Sequence, residues 1–142
     1  MSLTLEMARG IADAVITKSK ELGLKPLAVA VFDDRGCLRS FFAQDGTSLL
    51  RAEVAQGKAY GALALGMGSR AIFKRAQEQP FFVDAVNTLA QGKIIPVPGG
   101  VLMRDGHGVL VGAVGVSGDT SDNDEICALA GIAAAGLSAE TG

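Results

Sequence analysis

The sequence predicts an α/β domain of the α+β kind, a central antiparallel β-sheet of about five strands flanked by helices. Three observations carry this expectation. Residues 27–43 and 101–116 each have the grammar of a β-hairpin, two apolar runs around an Asp-to-Gly turn. The segments before, between and after them repeat apolar residues at helical spacing. A chain of 142 residues, 49% of them hydrophobic, also suffices for one core, because about 150 residues hide roughly 68–70% of the unfolded surface.

In residues 4–22, Leu5, Ala8, Ala12, Val15, Ile16 and Leu22 fall mostly at helical spacing, with Glu6, Arg9, Asp13, Lys20 and Glu21 between them, so an amphipathic first helix is expected. Gly23 stands where a glycine cap belongs, and Pro26 blocks continuation. Residues 27–32, the turn Asp33-Asp34-Arg35-Gly36 and residues 37–43 then form the first hairpin. Gln44-Asp45-Gly46 breaks the pattern, and Thr47 or Ser48 is expected to cap the next helix.

From residue 49 to about 65, Ala52, Ala55, Ala59 and Ala62 make a stripe of small residues that lets backbones approach closely. Gly66-Met67-Gly68 interrupts it, Ser69 is expected to cap, and residues 70–79 read as a short third helix ended by Pro80. Residues 81–90 hold a further helical turn or two. Ile94-Ile95-Pro96-Val97-Pro98 reads as an extended edge, since two prolines fit no central strand.

Val101-Leu102-Met103, the turn Asp105-Gly106-His107-Gly108 and residues 109–116 spell the second hairpin, in which Gly112 and Gly115 mark a bulge or a close neighbour. Residues 119–125 supply caps and an acidic first turn for a last helix. Its expected buried stripe is Ile126, Leu129, Ala130, Ala133 and Leu137.

Thirteen Lys and Arg against fifteen Asp and Glu leave a net charge of −2, which argues against a nucleic-acid partner. The longest apolar run, 126–137, falls short of the ~20 residues of a membrane-spanning helix, so a soluble protein is expected. Residues 1–6 lack a basic and then apolar leader, so the cytoplasm is the expected compartment. Cys37 and Cys127 match no metal or redox spacing and read as packing residues.

Several motifs invite chemistry. Gly66-Met67-Gly68-Ser69-Arg70-Ala71, with Asp84 beyond it, matches a loose dinucleotide fingerprint, but the segment before it has helical period where a strand is needed. Asp119, Asp122, Asp124 and Glu125 cluster without the spacing of a calcium loop, which favours helix capping. The same carboxylates discourage a phosphate at Gly115-Val116-Ser117-Gly118. His107 is the only histidine, so sites needing two from one chain are excluded, and it reads either as a solvent-facing turn residue or as a metal or haem ligand. Lys58 and Arg51, seven residues apart on one helix, point to similar sides and suit a carboxylate-bearing ligand or plain solvation. Asp45 suits either a substrate or its own turn. No residue stands out as catalytic.

Taken together, Ala30-Val31-Phe32-Asp33-Asp34-Arg35-Gly36, Gln44-Asp45-Gly46, Ala55-Gln56-Gly57-Lys58-Ala59-Tyr60, Pro98-Gly99-Gly100-Val101 and Gly112-Ala113-Val114-Gly115-Val116-Ser117-Gly118 with Asp124 resemble the GlcG/HbpS family, which includes haem-degrading proteins and the PduO C-terminal-like domain. The resemblance covers nearly the whole chain and implies a single domain, 1–142, of profilin-like fold that forms homo-oligomers. It implies a small-molecule ligand, haem or a related tetrapyrrole, bound and in some members degraded. Asp45, Arg51, Lys58, Gly99, Gly100 and Ser117 are then the expected ligand-binding residues, with Arg51 and Lys58 on propionates and Phe42 and Met103 over the ring. His107 is the expected metal ligand, with Tyr60, Met67 and Met103 as alternatives.

The sequence departs from the family pattern at Phe42-Ala43-Gln44-Asp45 and at Val101-Leu102-Met103. Two other functions compete: a non-catalytic accessory module that assembles on itself or on a metabolic enzyme, and an enzyme acting on a small carboxylic acid through Lys58 and Asp45.

Overall fold

A computed structural model describes residues 1–142. Along the chain run α1 (Leu5–Glu21), β1 (Ala28–Asp33), β2 (Leu38–Ala43), α2 (Arg51–Leu65), α3 (Ser69–Glu78), α4 (Pro80–Leu89), β3 (Gly100–Arg104), β4 (Leu110–Ser117), α5 (Ser121–Ala134) and β5 (Ser138–Glu140). The strands form one five-stranded antiparallel sheet in the order β2-β1-β4-β3-β5. The expected α+β architecture is therefore the observed one.

Both hairpin turns are built by the same device. The side chain of Asp33 accepts from the N–H groups of Arg35 and Cys37, and that of Asp105 from those of His107 and Val109. Gly36 and Gly108 each close the turn at positive φ, where a side chain would be strained. A short polar side chain that imitates backbone lets each strand reverse without leaving buried donors unpaired.

Residues alternate across the sheet, so β1 and β4 serve two layers. Val29, Val31, Val114 and Val116 face α1 and α5, joined there by Val101 and Met103 in the larger core cluster. Ala28, Ala30 and Ala113 face α2, whose Ala55, Ala59 and Ala62 lie on them. A Cβ on Gly115 would collide with the Ala55 carbonyl, so glycine lets the α2 backbone lie directly on β4. Gly112 sits beside a bulge, because Arg104 pairs with Leu110 while Met103 pairs with Gly112, leaving Val111 between them. Gly112 is also a close approach, since a Cβ there would strike the Phe32 carbonyl, so both alternatives read from these glycines are realised.

Four expectations are corrected. Residues 94–98 are no strand; the fifth strand is β5, and Ile94 is instead buried against Gly61 of α2. Residues 80–89 form a full helix, since Pro80 needs no N–H at a helix start and so opens α4 as well as ending α3. Neither Thr47, Ser48 nor Ser69 caps a helix: Leu50 and Gly68 hold the N-cap positions without side-chain bonds, and Ser69 is the first residue of α3. In α5 the buried face is Asp124, Cys127, Ala128, Gly131 and Ile132, while Ile126 and Ala133 are exposed. The period is right but the phase is two residues off, which turns the expected stripe to nearly the opposite side, because Gly131 is needed where Val15 and Ile11 of α1 press against α5. Leu137 is buried, but beyond the helix, after Gly136 at positive φ.

Candidate functional site

The most chemically loaded part of the molecule is α2, and its two flanks differ. On one flank Lys58, 1% exposed, donates from Nζ to Asp124 Oδ2 at 3.2 Å and to the Val116 carbonyl at 2.9 Å. Asp124 is equally buried, and its other oxygen accepts from the Asp119 N–H at 3.0 Å. One turn of helix and more away, Arg51 Nη1 donates to Ser117 Oγ at 3.1 Å. The Gly100 N–H donates to Ser69 Oγ at 2.7 Å, and the Gly99 carbonyl accepts from Val116 N–H at 3.0 Å. A side chain on Gly99 would run into Lys58 Nζ, and one on Gly100 into the Lys58 backbone.

Burial lowers the Lys58 pKa, as does the Arg51 charge to a smaller degree, while Asp124 pulls it back up. The pair persists in a dry site because every polar atom is occupied; no buried side-chain nitrogen or oxygen in the protein lacks a partner.

Five of the expected ligand-binding residues, Arg51, Lys58, Gly99, Gly100 and Ser117, therefore do come together. They face one another. The carboxylate on Lys58 belongs to Asp124 and not to a ligand, and Asp45 lies apart, exposed in the turn before α2. Asp124 was legible only as a capping acid; what distinguishes it, burial opposite a lysine 66 positions away, has no local signature.

The other flank is open. A cavity of about 640 Å³ lies between α2, the end of β1 and the segment after α4. Phe32, Leu50, Val54 and Ile95 supply apolar wall, and Glu53, Gln56, Tyr60, Gln91 and Lys93 supply polar groups. Lys93 Nζ sits 6.0 Å from the centre of the Tyr60 ring, at the outer range of a cation–π contact. Gly57 lines the same wall, and a Cβ there would strike Ile95, so glycine sets how closely the 93–95 segment lies on the helix. Of these residues the sequence singled out only Tyr60, as an alternative iron ligand.

The remaining expectations place as follows. His107 is exposed on the β3–β4 turn, and no cluster of three or more His, Cys, Asp or Glu side chains suited to a metal occurs. Met103 is fully buried between the sheet and the α1–α5 layer, and Phe42 packs against that same layer, so neither covers the cavity. Met67 packs with Ile72, Val83 and Ile94. Gly66 ends α2 at positive φ, so helix, not strand, precedes the glycine motif. Cys127 is buried, its thiol pushed up to about 11 by burial and by Asp124, whereas Cys37, expected to pack, is exposed at the end of the turn just before β2.

A single antiparallel sheet between a two-helix layer and a small-residue helix, with a cavity on that helix, defines an α+β domain. The chain belongs to the family described as haem degrading protein HbpS-like, whose model matches residues 3–133. It is 30% identical over 127 residues to an uncharacterized 15.0 kDa protein of the dhaT-dhaS intergenic region of Citrobacter freundii, covering 89% of this chain and 87% of that one. Among solved structures, Klebsiella pneumoniae ORFY is 27% identical with a TM-score of 0.84, covering 94% of this chain and 90% of that one. A double mutant of Streptomyces reticuli HbpS is also 27% identical, with a TM-score of 0.80 over 94% and 86%. The PduOC:heme complex, 23% identical over 97% and 98%, shares the fold with a TM-score of 0.87. No helix is long and apolar enough to cross a membrane.

Proposed function

We propose that this chain, acting as one domain, is a small-molecule binding protein that takes haem or a related tetrapyrrole in the cavity on the open flank of α2. The observation that carries this is the cavity itself. Its volume of about 640 Å³ is that of a ligand site, within the usual range of roughly 300–1,000 Å³. The residues present fit such a group: Phe32, Val54 and Ile95 suit a flat apolar ring, Lys93 offers a cation to a propionate, and Tyr60 offers a phenol of the kind that binds haem iron. Family membership and a relative of the same fold crystallised with haem support the choice of ligand class. A bound haem would supply the redox chemistry; the chain's own part is to hold it, exclude water and fix its orientation.

Hemin titrated into the purified protein is expected to give a saturable, stoichiometric Soret change. Val54→Trp, which fills the cavity, is expected to abolish it while leaving the circular dichroism spectrum unchanged. A wild-type protein that stays colourless, or a Val54→Trp protein that binds hemin as wild type does, would remove this reading.

The outer face of α4 supports a second element, assembly into a homo-oligomer. Phe81 and Leu89 are 73% and 83% exposed, eight positions apart on one side of the helix. Light scattering of the wild type against Phe81→Glu/Leu89→Glu tests it: the expected result is a multimer that the double substitution lowers in mass. The alanine stripe offers no such face, because Ala55, Ala59 and Ala62 are used up on the sheet.

A further inference from the structure

Resting on the cavity reading, we infer that Tyr60 is the residue through which this chain ligates the iron of a bound haem, its side chain being the one of an ordinary iron-binding type among those that line the cavity.

The side chains that usually hold haem iron are those of His, Cys, Met and Tyr. The cavity wall contains none of the first three. His107 stands on an exposed turn and does not line the cavity, Cys127 and Met103 are sealed in the α1–α5 core, Met67 packs under α3 and α4, and Cys37 is exposed without lining the cavity. Tyr60 is the only tyrosine of the chain, and it lines the wall.

Its hydroxyl has room to act. Tyr60 Oη makes no hydrogen bond within the protein, yet no buried side-chain oxygen lacks a partner, so Oη is solvent-accessible on a residue that lines the cavity. The ring, in contrast, is held. It packs against both the alanine cluster beneath α2 and the Ile72, Val83 and Ile94 cluster beneath α3 and α4. A fixed ring carrying an unpaired oxygen is a pre-positioned donor, which spares the ordering cost of binding. Gly57, three residues earlier on the same flank of the helix, leaves the wall beside that ring free of a side chain. Lys93, beside the ring, places a positive charge where a propionate can meet it.

With haem bound, Tyr60 would give its phenolic proton to solvent and Oη would take the place of a water molecule on ferric iron. No electron moves, and the iron stays ferric.

The test compares hemin with iron-free protoporphyrin IX on four proteins: wild type, Tyr60→Phe, Tyr60→His and the cavity-filling Val54→Trp. Wild type is expected to hold hemin more tightly than the iron-free ring by about tenfold or more, the scale on which even outer contacts tune metal affinity. Tyr60→Phe, which keeps the packed ring, is expected to bind both porphyrins alike and to show a displaced Soret band. Tyr60→His is expected to restore the preference for hemin with a third, distinct band. If Tyr60→Phe keeps both the preference and the wild-type spectrum, or if wild type shows no preference, Tyr60 is not the ligand, although loss of both porphyrins in Val54→Trp would still uphold the cavity. If Val54→Trp binds both as wild type does, the cavity reading falls and the Tyr60 assignment with it.

Discussion

The two flanks of α2 carry similar chemistry and use it in opposite ways. Toward Asp124 the charged and polar groups have found partners inside the protein: Lys58 with Asp124 and Val116, Arg51 with Ser117, Ser69 with Gly100. Toward the 91–95 segment, Glu53, Tyr60 and Lys93 make no ion pair or hydrogen bond through their side chains and border open volume. The first flank is a lock that ties α2, the end of β4 and α5 together; the second is left unpartnered and open. Charge on a helix therefore says little about binding until the partner of each charge is known.

Breaking the lock gives the largest expected effect. Lys58→Ala strands the Asp124 carboxylate in a dry site, and removing one partner of a buried pair typically costs about 3–5 kcal/mol. Glu53→Ala, on the open flank of the same helix, is expected to change stability by no more than about 0.5 kcal/mol. Urea unfolding of both checks the contrast. The double replacement Lys58→Met with Asp124→Leu should recover much of the loss, since it removes the desolvation cost along with the attraction. If Lys58→Ala unfolds no more easily than Glu53→Ala, the two flanks are not different in kind.

A smaller effect separates the glycines that bring α2 onto the sheet from those that do nothing of the sort. Gly115→Ala drives a methyl into the Ala55 carbonyl and the Ala59 N–H, an overpacking expected to cost about 1–3 kcal/mol. Gly10→Ala, in α1, meets no atom within 4 Å, and a helix-interior glycine replaced by alanine should gain about 0.5–1 kcal/mol. Opposite signs in the same unfolding assay are the expected outcome.

Much of the fold was legible because its signals are local. The Asp-to-Gly turns, the helical periods and the close-approach glycines of β4 each depend on residues within a few positions of one another. What escaped notice was long-range. The phase of α5 depends on how tightly α1 presses on Gly131, and hydrophobicity alone chose the bulkier Ile126 over Cys127 and Ala128. β5 is three residues long, with two of them exposed, and is a strand only because β3 lies beside it. The grouping of Arg51, Lys58, Gly99, Gly100 and Ser117 was anticipated, but whether they face outward or each other is decided by Asp124, whose burial no pattern announces. The cavity draws on β1, α2 and the 91–95 segment, three stretches that nothing in the sequence joins.

The smallest expected effect comes at the rim of the lock and is one of pH. Asp119 donates its N–H to Asp124, and its own carboxylate accepts from Asn123 Nδ2, Thr120 N–H and Lys25 N–H, so that it fastens the chain before β1 to the start of α5. These hydrogen bonds, that from Asn123 foremost, hold its pKa at about 2, below the ordinary value of 3.8. In the unfolded chain the carboxyl takes up its proton near 3.8, while the folded protein resists until about 2. The stabilisation is therefore complete above the ordinary value and is lost as pH falls through that interval. Asp119→Asn carries no such titration, so the fall in urea midpoint between pH 4 and pH 2 should be shallower than in wild type. Lys25→Ala, which keeps its backbone N–H, should leave the wild-type slope nearly intact, whereas an equally steep fall in Asp119→Asn would mean that other carboxylates govern the acid side.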